Sequence, residues 1–201
     1  MKNIKQTCPW PKGDPLLMKY HDKEWGVPLH NDKKLFEFLI LEGFQAGLSW
    51  LTILKKRENF RKAFDNFDFN KIAGYDLQKI NSLLTNSGII RNRLKIESAI
   101  INAKAFIDVR KEFGTFNKYI WKFTGGQPIH NGFESLKEIP ARTDLSDLIS
   151  KDLKKRGFKF VGSTIVYSHM QATGMVNDHI KSCFRYKEII ERYGLLLSHK
   201  T

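Results

Sequence analysis

The sequence predicts an all-α protein. Helix caps and stops recur along its 201 residues, the run 35–54 is apolar on nearly every side, and clean strand alternation is scarce. Asn31 or Asp32 can cap the helix that carries the apolar run. Asp76 precedes a helix over 77–84, and Thr85-Asn86-Ser87-Gly88 closes it. The stretch 91–113 sets Leu94, Ile96, Ala99, Ile100, Ala103, Phe106 and Ile107 on an inner side, and Gly114 ends it as a left-handed C′ residue. Thr115 opens a further turn or two through Trp121 and Phe123. Gly125-Gly126-Gln127-Pro128 then breaks the chain, and a loop runs to about Arg142. Asp144 caps a helix over 145–156. A tight turn at 157–162 leads to a helix over 163–173, stopped by Gly174. Within it Thr164-Ile165-Val166-Tyr167 is β-branched enough for a strand, but Ile165, His169 and Ala172 keep helical spacing.

A chain of this length fits one domain, 1–201, with two helical lobes sharing one cleft and a C-terminal tail at 184–201. Lys and Arg exceed Asp and Glu by 34 − 21 = 13. An enzyme of small metabolites has no need of that excess. It suits a polyanionic partner, nucleic acid before a membrane surface. No apolar run reaches the roughly 18–20 residues of a membrane span, and no signal peptide is visible, so a cytoplasmic monomer is expected. With two cysteines and no secretory context, a structural disulfide is not expected.

Glu42 is the least expected residue in the apolar run. An ionised carboxylate buried without a partner is strongly unfavourable. Either Glu42 is paired inside the protein or it awaits something that arrives. Gly43 and Gly47 beside it permit close approach to the backbone. Trp50, eight residues on and on roughly the same side of a continuous helix, offers a flat apolar face.

Two pairs of metal-ligating residues lie at the two ends. Cys8 stands thirteen residues before His21, and His179 stands four before Cys183, a spacing that on a helix puts both on one face. Together they form a Cys2His2 set, which suits tetrahedral, closed, structural Zn2+ and would tie down segments that otherwise fray. Spacing leaves the alternative open: Cys8 as a small buried hydrophobe and His179 as an ordinary satisfied histidine.

The run Lys154-Lys155-Arg156-Gly157-Phe158-Lys159-Phe160-Val161-Gly162-Ser163-Thr164 joins two predicted helices. Exposed amides, a helix N-terminus and several cations make a phosphate cradle, with Lys155, Arg156, Gly157, Lys159, Gly162 and Ser163 as its contacts. The same lysines also suit a solvated helix C-terminus.

Several long stretches, in order, resemble one family, the Tag-type 3-methyladenine DNA glycosylases. They are Tyr20-His21-Asp22-Lys23-Glu24-Trp25-Gly26-Val27-Pro28, Leu41-Glu42-Gly43-Phe44-Gln45-Ala46-Gly47-Leu48-Ser49-Trp50, Leu54-Lys55-Lys56-Arg57-Glu58-Asn59, the hairpin from Leu153 to Gly162, and Gly174-Met175-Val176-Asn177-Asp178-His179. The resemblance spans about 8–183. It implies a helix-hairpin-helix DNA glycosylase fold with a zinc site joining the two termini on Cys8, His21, His179 and Cys183. It implies excision of 3-methyladenine from double-stranded alkylated DNA, with the free base as product. Glu42 would bind the edge of the extruded base, Tyr20 would add a polar contact, Trp50 would stack, and Trp10 and Trp25 would wall the pocket. Gln45, Gly47 and Leu48 would fill the gap left in the duplex.

Two departures are visible. Leu17 stands where some relatives have an aromatic residue. Many glycosylases of the wider superfamily carry a catalytic aspartate in a Val-Asp-x-His stretch, whereas this chain has Val176-Asn177-Asp178-His179, so the aspartate position falls on Asn177 and Asp178 would face elsewhere. N3-methylation already makes adenine a good cationic leaving group, so no general acid is required. The sequence leaves open whether Glu42 also orients the attacking water. It also leaves two rival readings: a non-catalytic zinc-stapled binder of damaged DNA, and a related enzyme acting on another alkylated base.

Overall fold

The computed structural model describes residues 6–193, and their regular secondary structure is almost entirely helical. Ten α-helices follow in order: α1 Pro15–Lys23, α2 Asp32–Gln45, α3 Trp50–Ala63, α4 Phe69–Ala73, α5 Leu77–Thr85, α6 Arg93–Phe113, α7 Phe116–Trp121, α8 Asp144–Lys155, α9 Ser163–Ala172 and α10 Phe184–Tyr193. Among the described residues no helix is long and apolar enough to cross a membrane.

Most caps fall where the sequence puts them. Asn31 accepts from Lys34 N, Asp76 from Lys79 N, and Thr115 from Lys118 N. Asp32 turns outward from its own helix: its carboxylate accepts the Phe116 and Asn117 amides and the Arg110 guanidinium, tying α2 to the start of α7. Gly114 takes φ +80° at the end of α6. The residues 164–167 are helical, as their spacing requires.

Five expectations need correction. The apolar run is not one helix: α2 stops at Gln45, Gly47 takes φ +78°, and Ser49 caps α3 by accepting from Thr52 N. Leu94 is 68% exposed, because it falls on the outer face of α6 with Ile101, whereas Lys95 and Ile96 beside it in the first turn are buried. Thr143, not Asp144, caps α8, in a reciprocal pair with Ser146. His179 and Cys183 lie on a turn, not a helix, with the Cys183 amide bonded to Ile180 O. The tail carries structure over α10, whose Ile189 is buried; 194–201 lie outside the described residues.

The loop after α7 contains a two-residue strand, β1 Ile129–His130. It pairs in parallel with β2 Val176–Asn177, Ile129 opposite Val176. This short ladder pins the loop against the segment that follows α9. Gly174 makes the tightest approach in that segment: at φ +68°, a Cβ there would sit 2.3 Å from Val27 C and Pro28 N. Only glycine permits this contact, which seats the end of α9 against the chain leaving α1.

Buried side chains form two clusters. The larger includes Phe36, Phe44, Phe60, Phe106, Tyr119 and Tyr167, drawn from α2, α3, α6, α7 and α9. The smaller joins Cys8, Tyr20, Trp25, Phe38, Leu54, Ile180 and Cys183. Trp50 and Leu29 pack against both clusters.

Candidate functional site

The seam between the two clusters opens into a cavity of about 320 Å³. Its walls are Trp10, Tyr20, Trp25 and Trp50, with Glu42 and Gln45 inside and Leu136, Ile139, Ser168 and Gln171 completing the lining. Each part has a local cause. Asp14 accepts from Leu16 N and Leu17 N and Pro15 opens the first turn, so α1 starts cleanly and carries Tyr20 inward. The break at 46–49 folds α3 back, and this is how Glu42 and Trp50 come to share one cavity. Lys95 Nζ donates to Phe44 O at 2.9 Å and Ala46 O at 2.5 Å, satisfying carbonyls that the end of α2 leaves free. Tyr20 and Trp50 lie 5.3 Å apart between ring centroids, and Trp10 and Trp25 lie 5.2 Å apart. Leu17 packs on the smaller cluster and does not line the cavity.

Glu42 is 4% exposed, and among the described residues no hydrogen bond or ion pair reaches its carboxylate. Burial pushes its pKa up to about 8. The buried cations near α2 are committed elsewhere. Arg57 donates to Glu24 at 2.6 Å and to Glu37 at 2.7 Å, and Lys95 holds carbonyls. Burial, and then the charge of Glu42, raise the Tyr20 phenol well above its ordinary value, so it remains a donor. Such a cavity, walled by aromatic rings and carrying one carboxyl without an internal cation, is complementary to a flat cation.

A smaller cavity of about 180 Å³ adjoins it, sharing Glu42, Gln45 and Ser168 and reaching Ala46, Gly47, Leu48, Thr164 and Ile165. Leu48, 41% exposed, stands at the tip of the 46–49 turn. Neither Asn177 nor Asp178 lines either cavity. Asn177 Nδ2 donates to Tyr186 O, and the Asp178 carboxylate accepts from Tyr167 Oη, Gln171 Nε2 and Asn131 Nδ2. Glu42 is therefore the one carboxylate in the lining. Sequence reading missed Gln171, Ser168, Leu136 and Ile139; a lone glutamine or serine on a helix carries no signal, and the other two lie in the loop.

Cys8, His21, His179 and Cys183 converge, all four buried, with ligand atoms within 4.8 Å of one another. His21 Nε2 and His179 Nδ1 are 3.1 Å apart, and Cys183 Sγ is 3.5 Å from each. Tetrahedral bonds of about 2.0–2.3 Å to zinc would set such atoms about 3.3–3.7 Å apart. The outward nitrogens are oriented by acceptors: His21 Nδ1 donates to Asp22 Oδ1 at 2.7 Å, and His179 Nε2 to Trp25 O at 3.0 Å. Acceptors placed in this way behind the ring fix the tautomer of a metal-bound histidine. The residues present therefore fit a closed tetrahedral ion, and both cysteines are free of disulfide.

The turn between α8 and α9 is held from behind. Asn102 Nδ2 donates to Lys159 O and Asn102 Oδ1 accepts from Lys159 N, while Ser150 Oγ donates to Val161 O. Gly157 takes φ +90°, and no side chain caps α9, so Gly162 leads into free amides at Ser163 and beyond. Lys155 and Lys159 are exposed. Arg156 behaves differently from the reading of it as a phosphate contact. Its guanidinium bonds Asp152 and Glu112 and stacks over Phe113 and Tyr119.

The chain matches the model of the family described as methyladenine glycosylase over residues 10–186. It is 50% identical to DNA-3-methyladenine glycosylase 1 of Escherichia coli strain K12, over 90% of this chain and 97% of that protein. It is 47% identical to DNA-3-methyladenine glycosylase of Haemophilus influenzae, over 88% and 95%. Among solved structures, a crystal structure of 3-methyladenine DNA glycosylase I superposes with a TM-score of 0.87 at 52% identity, over 89% and 98% of the two chains. The Staphylococcus aureus enzyme, solved to show how it recognises 3-methyladenine, gives 0.86 at 38%, over 88% and 94%. A match of this extent, on an aromatic cavity built around one carboxyl, shows that the chain belongs to the methyladenine glycosylase family.

Proposed function

We propose that this protein is a monofunctional DNA glycosylase that hydrolyses the N-glycosidic bond of 3-methyladenine in alkylated DNA, a base-excision repair step. The observation that carries the reading is Glu42: a buried carboxyl without a cation, facing a cavity walled by indole and phenol rings. The flipped 3-methyladenine nucleotide is cationic. Its charge offsets the cost of ionising Glu42, and Trp50 stacks on the ring. Normal adenine brings no charge and gains less. Water adds to C1′ as the glycosidic electron pair leaves with the base. The base departs neutral, and the water proton passes to solvent. With the base already cationic, the lack of a carboxylate at Asn177 is tolerated.

The supporting parts follow the same reading. Helices α8 and α9 with their turn form a helix-hairpin-helix motif that binds backbone phosphates through the amides at Gly162 and Ser163 and through Lys155 and Lys159; the Gly157 amide, expected as a contact, is instead held by Lys154 O at 3.0 Å. Gln45, Gly47 and Leu48 fill the space the base vacates in the duplex. Zinc held by Cys8, His21, His179 and Cys183 is structural and joins the segment bearing Trp10 to the segment after α9. The two hydrophobic clusters are lobes of one domain. One chain lines the whole cavity, in keeping with a monomer, and action on chromosomal DNA in a bacterial cell accords with a cytoplasmic place.

Incubation with methylated duplex DNA, followed by chromatography of released bases, tests the reading. Free 3-methyladenine is expected. No free base would leave a lesion-binding protein instead, and 7-methylguanine as main product would overturn the specificity.

A further inference from the structure

Gln171 sits on the last turn of α9 and lines the base cavity. Its side-chain nitrogen donates to Asp178 Oδ2 at 2.8 Å. Asp178 is 1% exposed and also accepts from Tyr167 Oη at 2.7 Å and Asn131 Nδ2 at 2.6 Å. An ionised carboxylate accepts only. It therefore dictates which end of the Gln171 amide faces it, and Oε1 is left pointing away, with no donor bonded to it among the described residues.

We propose that Gln171 is a specificity-determining residue, a second acceptor beside Glu42 that selects bases bearing an exocyclic amine, with Asp178 as the positioning residue that fixes its orientation. The inference rests on the glycosylase reading. An exocyclic amine carries two N–H donors and satisfies both acceptors. A carbonyl at the same ring position places a lone pair against Gln171 Oε1, which cannot donate, and a buried polar group facing an unmatched partner is costly. The device discriminates among N3-methylated purines, which charge cannot do because all of them share it. It also gives Asp178 a task despite its lying outside the cavity.

The test compares binding of free 3-methyladenine with binding of 3-methylhypoxanthine, which differs by an oxygen in place of the amine. Indole fluorescence of Trp50 and its neighbours reports both. The wild-type protein is expected to favour the amine-bearing base. Gln171→Met, similar in volume, is expected to reduce that preference about tenfold, the weight of one neutral hydrogen bond. Asp178→Asn is expected to shift it the same way, because an asparagine at 178 can donate and lets the amide turn over. A merely structural role would weaken both ligands equally. An unchanged ratio in Gln171→Met, with 3-methyladenine still bound by the wild type, overturns this inference alone. A wild type that binds neither base and releases none from DNA overturns the glycosylase reading instead.

Discussion

Helix α2 buries two glutamates five residues apart, and they have opposite lives. Glu37, 7% exposed, accepts from Arg57 Nε at 2.7 Å and from Arg61 Nη2 at 2.7 Å. Glu42, 4% exposed, accepts from nothing within the described residues. The first is a buried ion pair whose partners arrive from α3 as part of folding. The second is a site whose partner arrives from outside. Burial alone does not separate a structural carboxylate from a functional one; the presence of an internal cation does.

The comparison breaks most sharply by substitution. Glu42→Gln is expected to lower excision by two orders of magnitude or more, the scale of losing one preorganised charged contact, while DNA binding holds. Glu37→Gln is expected to act through folding: it leaves Arg57 and Arg61 underpartnered, and breaking such a pair costs about 3–5 kcal/mol. Excision assays beside thermal melts separate the two. Equal effects of both substitutions on melting would contradict the distinction.

Metal removal sharpens it next. Chelation, or Cys8→Ser, is expected to loosen the seat of Tyr20 and Trp25 without touching the Glu37 pair. Metal analysis should give about one zinc per chain, and its loss should lower the melting temperature. An unaltered melt after complete chelation would argue against a structural ion.

The pH dependence of stability isolates the carboxylate buried without a partner. The folded pKa of Glu42 is raised to about 8 from an ordinary 4.5. Its burial therefore costs nothing below about pH 4.5, and the cost grows as pH rises and levels off above about 8. Glu42→Gln should accordingly be more stable than wild type by on the order of 3 kcal/mol at pH 7, with the gain nearly vanishing by pH 4.5. Melts across that range check this.

The smallest effect is expected at Lys95, which clamps the carbonyls at the end of α2. Lys95→Met should loosen the 46–49 turn and reduce excision several-fold at unchanged 3-methyladenine affinity. Equal losses of both would place Lys95 in the cavity's support rather than the turn's.

Much of this was legible in the chain. Caps at Asn31, Asp76 and Thr115 and the stop at Gly114 located helices because local hydrogen bonding decides them. Glu42 announced itself by a chemical conflict that is visible without coordinates. Helix α1 was not read from the sequence although Asp14-Pro15 marks its start, because a short helix with four apolar residues gives little periodicity. The break at 46–49 was hidden, since apolar character continues through Ala46, Leu48 and Trp50 while the backbone turns. Arg156 counted as a free cation until Glu112, far off in sequence, reached it. The Gln171–Asp178 contact was invisible because its meaning depends on which way an amide points.

Carbon-detected NMR titration of the side-chain carboxyl groups, with Glu42 and Glu37 assigned by substitution, meets the central claim most directly. Glu42 should titrate near 8 in the free protein and move down when duplex DNA carrying a cationic, non-hydrolysable N3-methylated adenine nucleotide fills the cavity with its base. A Glu42 that titrates near 4.5, or one that the bound base leaves unmoved, would contradict it.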